Sequence, residues 1–209
     1  MARGGAPPRT GTGLAHRGSA AYGRTVIVPV EIVALLASPL HAYEGRPADG
    51  PTADPADGAR DRIEIRAGHG VVGDRYAGHA AHRTAAVTVF AAESLDAVAA
   101  ELGLPGVPDV LGLRRNIVLR GFPVDDLAAP RGGTGAVFAL DSGQGAVRFQ
   151  AYRPAHPCAW MNQVLAPGAF RALRGRGGVR CAPLDDGWLR RGPAVLLVEQ
   201  PAGVSGSRR

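Results

Sequence analysis

Short β-branched runs, each cut off by glycine or proline, leave this chain little room for long helices. Its 209 residues include 30 glycines and 17 prolines. Glycine frees the backbone for turns and proline removes a hydrogen-bond donor, so together they punctuate regular structure. Between the breaks, apolar residues alternate. Glu31-Ile-Val-Ala-Leu-Leu36 reads as a first strand, and Asp61-Arg-Ile-Glu-Ile-Arg66 places Ile63 and Ile65 on one buried face. Further strands are predicted over 85–90, 116–120, 179–181 and 194–199, with Asp186-Gly187 as a turn between the last two. Residues 136–140 and 146–151 form a hairpin across Asp141-Ser-Gly-Gln-Gly145. Residues 41–60, with Pro47, Pro51 and Pro55, form a long loop, and the glycine- and histidine-rich stretch Gly68 to His82 forms another. Leu95, Val98 and Leu102 recur at helical spacing ahead of Gly103, predicting a helix over 92–102. Pro167 begins a second, short one over 168–174. Many short strands, two short helices and no βαβ rhythm predict a mainly β, barrel-like α+β domain.

Residues 1–24 carry Arg3, Arg9, Arg17 and Arg24 without an acid, and have neither an apolar core nor amphipathic periodicity. They read as a disordered extension, and 200–209 as a disordered tail, around a folded body at 30–199. The longest apolar run, Val26 to Leu36, is interrupted by Pro29 and Glu31 and falls short of the roughly 20 residues that span a bilayer, so no membrane association is expected.

The formal charge of +6 resides in those N-terminal arginines and in Arg208 and Arg209, because the intervening 18 arginines face 18 acids. A basic face for nucleic acid is therefore not expected. All 24 basic residues are arginine. Without lysine the chain forms no Schiff base with pyridoxal phosphate and builds no Walker A loop. Arginine remains suited to fork-like binding of phosphate or carboxylate. The two cysteines, Cys158 and Cys181, make no disulfide framework, which fits a reducing cytoplasm.

Cys158 follows a rigid proline in Arg153-Pro-Ala-His-Pro-Cys158, within a stretch from Ser142 to Leu184 that holds six arginines and no acid. Nearby cations favour the thiolate, which is a nucleophile, a soft metal ligand or a sulfur carrier. A free cysteine is also commonly a small buried hydrophobe. Two other polar clusters stand out. Gly73-Asp74-Arg75-Tyr76-Ala77-Gly78-His79 lets backbone approach a ligand, or is a turn pinned by an Asp–Arg pair. Arg114-Arg115-Asn116 offers donors to an anion or a heterocycle edge, or is a solvated strand edge. His79, His82, His156 and Cys158 could instead supply zinc ligands, although the closely spaced cysteine pairs of most structural zinc sites are missing. Cys158 with His156 or His79 as base would make a cofactor-independent hydrolase, although no hydrolase signature accompanies it.

Taken in order, these clusters resemble the MOSC domain, a family named for the C-terminal domain of molybdenum cofactor sulfurase. The resemblance rests on Gly73-Asp74-Arg75 with Gly78, Arg114-Arg115-Asn116-Ile117, Pro157-Cys158, Leu173-Arg-Gly-Arg-Gly-Gly-Val-Arg180 and the closing glycine turn and strand, and it covers about 30 to 199. It implies a MOSC-type β-barrel with a few short helices that binds molybdenum cofactor (molybdopterin). By this resemblance Cys158 ligates molybdenum or carries a persulfide sulfur. Arg75, Arg114, Arg115 and Arg153 become candidate phosphate and pterin contacts, with Asp74 and Asn116 shaping the pocket. The implied activity is cofactor sulfuration or transfer, or reduction of N-hydroxylated compounds. Enzyme and non-catalytic carrier are both compatible. A sulfur donor or redox partner would be a separate protein, since no desulfurase domain is present. Many relatives have Glu where this chain has Arg115, so the local pairing must differ. The segment Leu40 to Arg46 receives no role.

Overall fold

The computed structural model describes Met1 and residues 25–54, 58–130 and 133–199. The expected tail at 200–209, and the expected extension beyond Met1, lie outside the described residues. In chain order the main elements are β1 (Thr25–Leu36), β2 (Ala59–Arg60), β3 (Arg62–Arg66), β4 (Gly70–Val71), β5 (Val87–Ala91), α1 (Ala92–Glu101), β6 (Ile117–Arg120), β7 (Val137–Asp141) and β8 (Val147–Pro154). They continue with α2 (Met161–Val164), α3 (Ala169–Ala172), β9 (Val179–Pro183), β10 (Gly187–Arg190) and β11 (Gly192–Glu199).

Seven strands run in the order β11-β7-β8-β9-β5-β6-β1, and β1 pairs back onto β11, closing the sheet into a barrel. Closure leaves no unpaired edge within that ring. β10, β3 and β4 form a separate small sheet. The mainly β barrel with a few short helices expected from the sequence is the observed fold.

Period-two alternation fills the interior. Ile32, Val89, Ile117, Leu119, Phe138, Leu140, Phe149, Val179 and Leu196 are all within 1% of complete burial and belong to one core. Phe138 and Phe149, paired across β7 and β8, stack with centroids 5.3 Å apart. A second core lies outside the barrel wall, where Phe90 and Val118 turn outward to meet Leu95 and Val98 of α1 with Trp160, Met161 and Leu173. A register shift between Ile32 and Ala34 lets β1 serve both cores, with Ile32 in the first and Ala34 in the second.

Three differences from the sequence reading have local causes. β1 starts at Thr25 rather than Glu31, because Pro29 sits in a ladder that β11 completes. β10 begins at Gly187, inside the predicted Asp186-Gly187 turn, and its four residues are too few for a periodic signal. One βαβ unit is present after all: β5 pairs with β6 in parallel, the crossover being α1 and the segment to Asn116.

Candidate functional site

The residues ahead of β6 are held by a polar network. Asn116 Nδ2 donates to Asp74 Oδ2 (3.1 Å) and to the Leu36 carbonyl (3.2 Å). Its Oδ1 accepts from the backbone N–H (3.0 Å) and hydroxyl (2.9 Å) of Thr88. Asp74 is buried and also accepts from the backbone N–H groups of Tyr76 (3.1 Å) and Ser38 (3.5 Å). Buried polar groups are stable when so satisfied. Asp74 and Asn116 therefore tie the Gly73–His79 loop to β1, β5 and β6, shaping the pocket with little hydrogen-bonding capacity left over.

Arg114 adopts a left-handed backbone (φ 53°, ψ 40°), alone among the described non-glycine residues in its positive φ. That conformation costs about 1–2 kcal/mol and needs compensation. Its Nη1 pairs with Asp54 Oδ2 (3.1 Å) and its Nη2 donates to the Leu40 carbonyl (2.9 Å). Asp54 is held in turn by the Ser38 hydroxyl (2.5 Å).

Arg115 turns to the backbone of the cysteine loop. Its Nε donates to Gly177 O (3.2 Å) and its Nη2 to Ala155 O (3.2 Å) and His156 O (3.4 Å). These carbonyls supply the pairing that a glutamate at this position would lack. Burial, followed by the charge of Arg180, lowers the Arg115 pKa to about 10, with Cys158 and Asp125 acting the other way. Gly177 and Gly178 permit the close approach: a Cβ on Gly177 would lie 2.0 Å from Ala155 O, and one on Gly178 (φ 86°) 2.2 Å from Val89 O.

Cys158 is an exposed free thiol on the turn after β8. It lines a cavity of about 300 Å³ together with Arg75, Arg114, Arg115 and Arg180. A smaller chamber of about 90 Å³ shares those four arginines and reaches Asn116 and Thr88. Among the described residues, every buried side-chain nitrogen or oxygen without a hydrogen-bond partner belongs to this group: Arg75 Nε and Nη1, Arg114 Nε and Arg180 Nε. Arg75 Nη1 stands 3.9 Å from Asp74 Oδ2, and its guanidinium lies 4.6 Å from the Tyr76 ring centroid. Burial, then the charge of Arg153, lowers the Arg180 pKa.

One cavity wall was missed in the sequence. Tyr43 stacks on Trp160 (5.3 Å between centroids, 17° between planes), and its hydroxyl donates to the Gly112 carbonyl. Both rings line the cavity with His41, whose Nε2 is 3.3 Å from the Tyr76 hydroxyl. The Leu40–Arg46 segment, which has no role in the sequence reading, thus supplies this wall. Arg180 was also missed as a site residue, although it stands in the quoted glycine-rich segment.

Five of the six proposed cofactor residues gather here; Arg153 does not. It is exposed and lines a neighbouring pocket of about 770 Å³ with Tyr152 and His156. Of the six arginines in the acid-free stretch, Arg180 is the one that lines the Cys158 cavity; Arg148 and Arg176 pair with Asp185 and Glu101. The positive surroundings of Cys158 come mainly from distant segments. Cys181 points into the barrel core, and burial pushes its thiol up. Among the described residues no three His, Cys, Asp or Glu side chains form a metal-holding group, and the His79 and His82 rings are 6.2 Å apart. No described histidine hydrogen-bonds the Cys158 sulfur, as a Cys–His hydrolase would use.

A closed small barrel with a thiol at an arginine-lined cavity defines the class of protein, and comparison defines the family. A family model described as MOSC domain matches residues 74–197. The chain belongs to the MOSC domain family, which is associated with molybdenum cofactor. No curated protein matches it. Among solved structures it is similar to the YuaD protein from Bacillus subtilis (TM-score 0.61, 15% identity, 85% of this chain and 99% of that one). It is also similar to YiiM from Geobacillus stearothermophilus (TM-score 0.53, 18% identity, 83% and 77%). At these identities the likeness speaks to the fold alone. No helix among the described residues is long and apolar enough to cross a membrane.

Proposed function

We propose that this chain binds molybdenum cofactor in the Cys158 cavity, with Cys158 as molybdenum ligand or persulfide carrier. The observation that carries the reading is the set of buried guanidinium nitrogens without hydrogen-bond partners on Arg75, Arg114 and Arg180 beside an exposed thiol. A buried donor without a partner costs about 1–3 kcal/mol, so three such arginines around one cavity are explained by an anionic guest. The cofactor's phosphate is such a guest, and guanidinium forks match phosphate geometry. When bound, the cofactor supplies redox chemistry at a soft metal centre, which a thiolate suits.

The chain's own residues divide the remaining tasks. Arg75, Arg114 and Arg180 present donors to the anion. Arg115 holds the carbonyls of the cysteine loop and so orients Cys158. Asp74 and Asn116 fix the loop that carries Arg75. Tyr43 and Trp160 close one side against water. Arg153 stands outside, where it would act on an approaching charge rather than on a seated one. A cytoplasmic location fits two free thiols. The activity is reduction of N-hydroxylated compounds with a separate redox partner, or cofactor sulfuration or transfer with a separate sulfur donor.

The test is metal and pterin analysis of protein purified from a host that makes the cofactor. Wild type should carry both molybdenum and pterin, and Cys158→Ala should retain little molybdenum. Wild type lacking both would overturn the reading. Electron-donor-dependent turnover of a hydroxylamine then separates reductase from carrier.

A further inference from the structure

We propose that the Cys158 cavity also takes sulfur directly from a small sulfane-sulfur oxyanion, with thiosulfate the simplest example, and stores it as a persulfide on Cys158. This rests on the reading of Cys158 as a sulfur carrier and names a source of its sulfur other than a donor protein.

The two chambers divide the task by size. The inner one is the smaller, at about 90 Å³ against about 300 Å³ for the outer. A compact tetrahedral oxyanion suits the smaller space. It is lined by Arg75, Arg114, Arg115 and Arg180, while Cys158 lines only the outer chamber. Arg114, 8% exposed, keeps Nε buried without a hydrogen-bond partner, as do Arg75 with Nε and Nη1 and Arg180 with Nε. Two carboxylates offset part of this charge: Asp54 pairs with Arg114 Nη1, and Asp74 stands 3.9 Å from Arg75 Nη1. Four guanidinium groups against two carboxylates leave the space net positive, which suits a dianion. An oxyanion head seated among them directs its terminal sulfur outward, toward the chamber that Cys158 lines. Cys158 is close enough for its charge to raise the pKa of Arg115.

The step balances without an external oxidant. The Cys158 thiol gives its proton to solvent, and the thiolate Sγ attacks the sulfane sulfur. An Sγ–S bond forms as the S–S bond of thiosulfate breaks. The electron pair of that bond leaves with sulfite, whose negative charge the arginines stabilise. The sulfane sulfur stays on the protein as a persulfide. Sulfate and phosphate fit the same donors but carry no transferable sulfur, so they compete.

The experiment mixes thiosulfate with the full-length, cofactor-free chain, its thiols reduced and the reductant removed. Sulfite release and intact protein mass are followed over a single turnover. One sulfite per chain and a mass gain of one sulfur atom are expected, both lost in Cys158→Ser and both kept in Cys181→Ala. Because Cys158 is exposed, its loss leaves the fold intact. Arg180→Gln should lower the second-order rate about tenfold or more, the size of one charge-assisted hydrogen bond, and Arg180→Lys should recover part of it. Sulfite release at the Cys158→Ser background overturns the proposal, as does a rate indifferent to Arg180→Gln and to added sulfate. A chain that binds cofactor when offered it, yet leaves thiosulfate untouched in its cofactor-free form, overturns only this proposal. A chain that releases sulfite but never acquires molybdenum or pterin overturns only the cofactor reading.

Discussion

Cys181 sits on β9 with its sulfur among apolar side chains of the barrel core, while Cys158 stands exposed on the turn after β8 beside four arginines. The same contrast separates the two regions these thiols belong to. The barrel interior is assembled from alternating apolar residues of seven strands. The cavity is walled by groups that the fold buries without partnering: every buried unpaired side-chain nitrogen or oxygen among the described residues is on an arginine that lines it. Folding alone gives no reason to keep such groups, since natural proteins satisfy nearly all buried donors. The interior is thus optimised for stability, and the cavity retains donors that a guest would complete. Sites of function are where local rules of this kind are commonly broken.

Truncating Phe149 tests the interior half of that contrast most severely. Its ring is fully buried and stacked on Phe138, so Phe149→Ala opens a cavity the closed barrel cannot readily collapse. A loss of about 3–5 kcal/mol is expected in denaturant unfolding. A loss below about 1 kcal/mol would mean that the interior is not close-packed, and the contrast would fail.

Arg75→Met tests the other half and should go the opposite way. The methionine keeps apolar length and removes two buried nitrogens that lack hydrogen-bond partners, at the expense of the contact with the Tyr76 ring and a long 3.9 Å ion pair with Asp74, whose carboxylate keeps its hydrogen bonds from Asn116, Tyr76 and Ser38. The unpaired-donor penalty is relieved, so stability should hold or rise by up to about 1 kcal/mol, while phosphate or cofactor binding falls. Calorimetric unfolding and anion titration on the same sample would show both. If Arg75→Met lost more than about 1 kcal/mol of stability, the arginine would be structural and the cavity no different in kind from the core.

The two regions were also unequally legible. The interior could be read from the chain because period two is a local signal: the 62–66 strand, the hairpin of β7 and β8, and α1 were all placed within a few residues. Gly73-Asp74-Arg75, Arg114-Arg115-Asn116 and Cys158 could be picked out as chemistry-bearing. What joins them is long-range and left no local pattern. Asn116 reaches Asp74 across 42 positions, and Arg115 reaches Ala155 across 40. Arg153, which the resemblance made a candidate phosphate or pterin contact, lines a different pocket. Tyr43 lies in a proline-broken loop with no periodicity, and only its stacking on Trp160 makes it part of the wall. The parallel pairing of β5 and β6 escaped for the same reason, since one crossover makes no rhythm.

Tyr43 offers the smallest and most specific test, because it borders both apolar and charged surroundings. Burial is the main cause raising its pKa from 10.0 to about 12, against the opposing pull of Arg114. The folded state therefore prefers the neutral phenol. Its contribution to stability is fully present below pH 10, and is lost as the pH rises toward 12 while the unfolded chain ionises first. Arg115 acts with the opposite sign over much of that range, since its folded pKa of about 10 lies below the ordinary 12.5, and stability is gained there as the folded guanidinium releases its proton. The wild-type profile is the difference of the two, so subtracting the profile of Tyr43→Phe isolates the tyrosine. A phenolate absorbance titration should show a late-ionising component that disappears in Tyr43→Phe. That variant should also lose about 1 kcal/mol near neutral pH with the hydrogen bond to Gly112. If the titration of Tyr43→Phe differs from wild type only near pH 10, Tyr43 is open to solvent, and the cavity has no dry wall on the side where Trp160 stands.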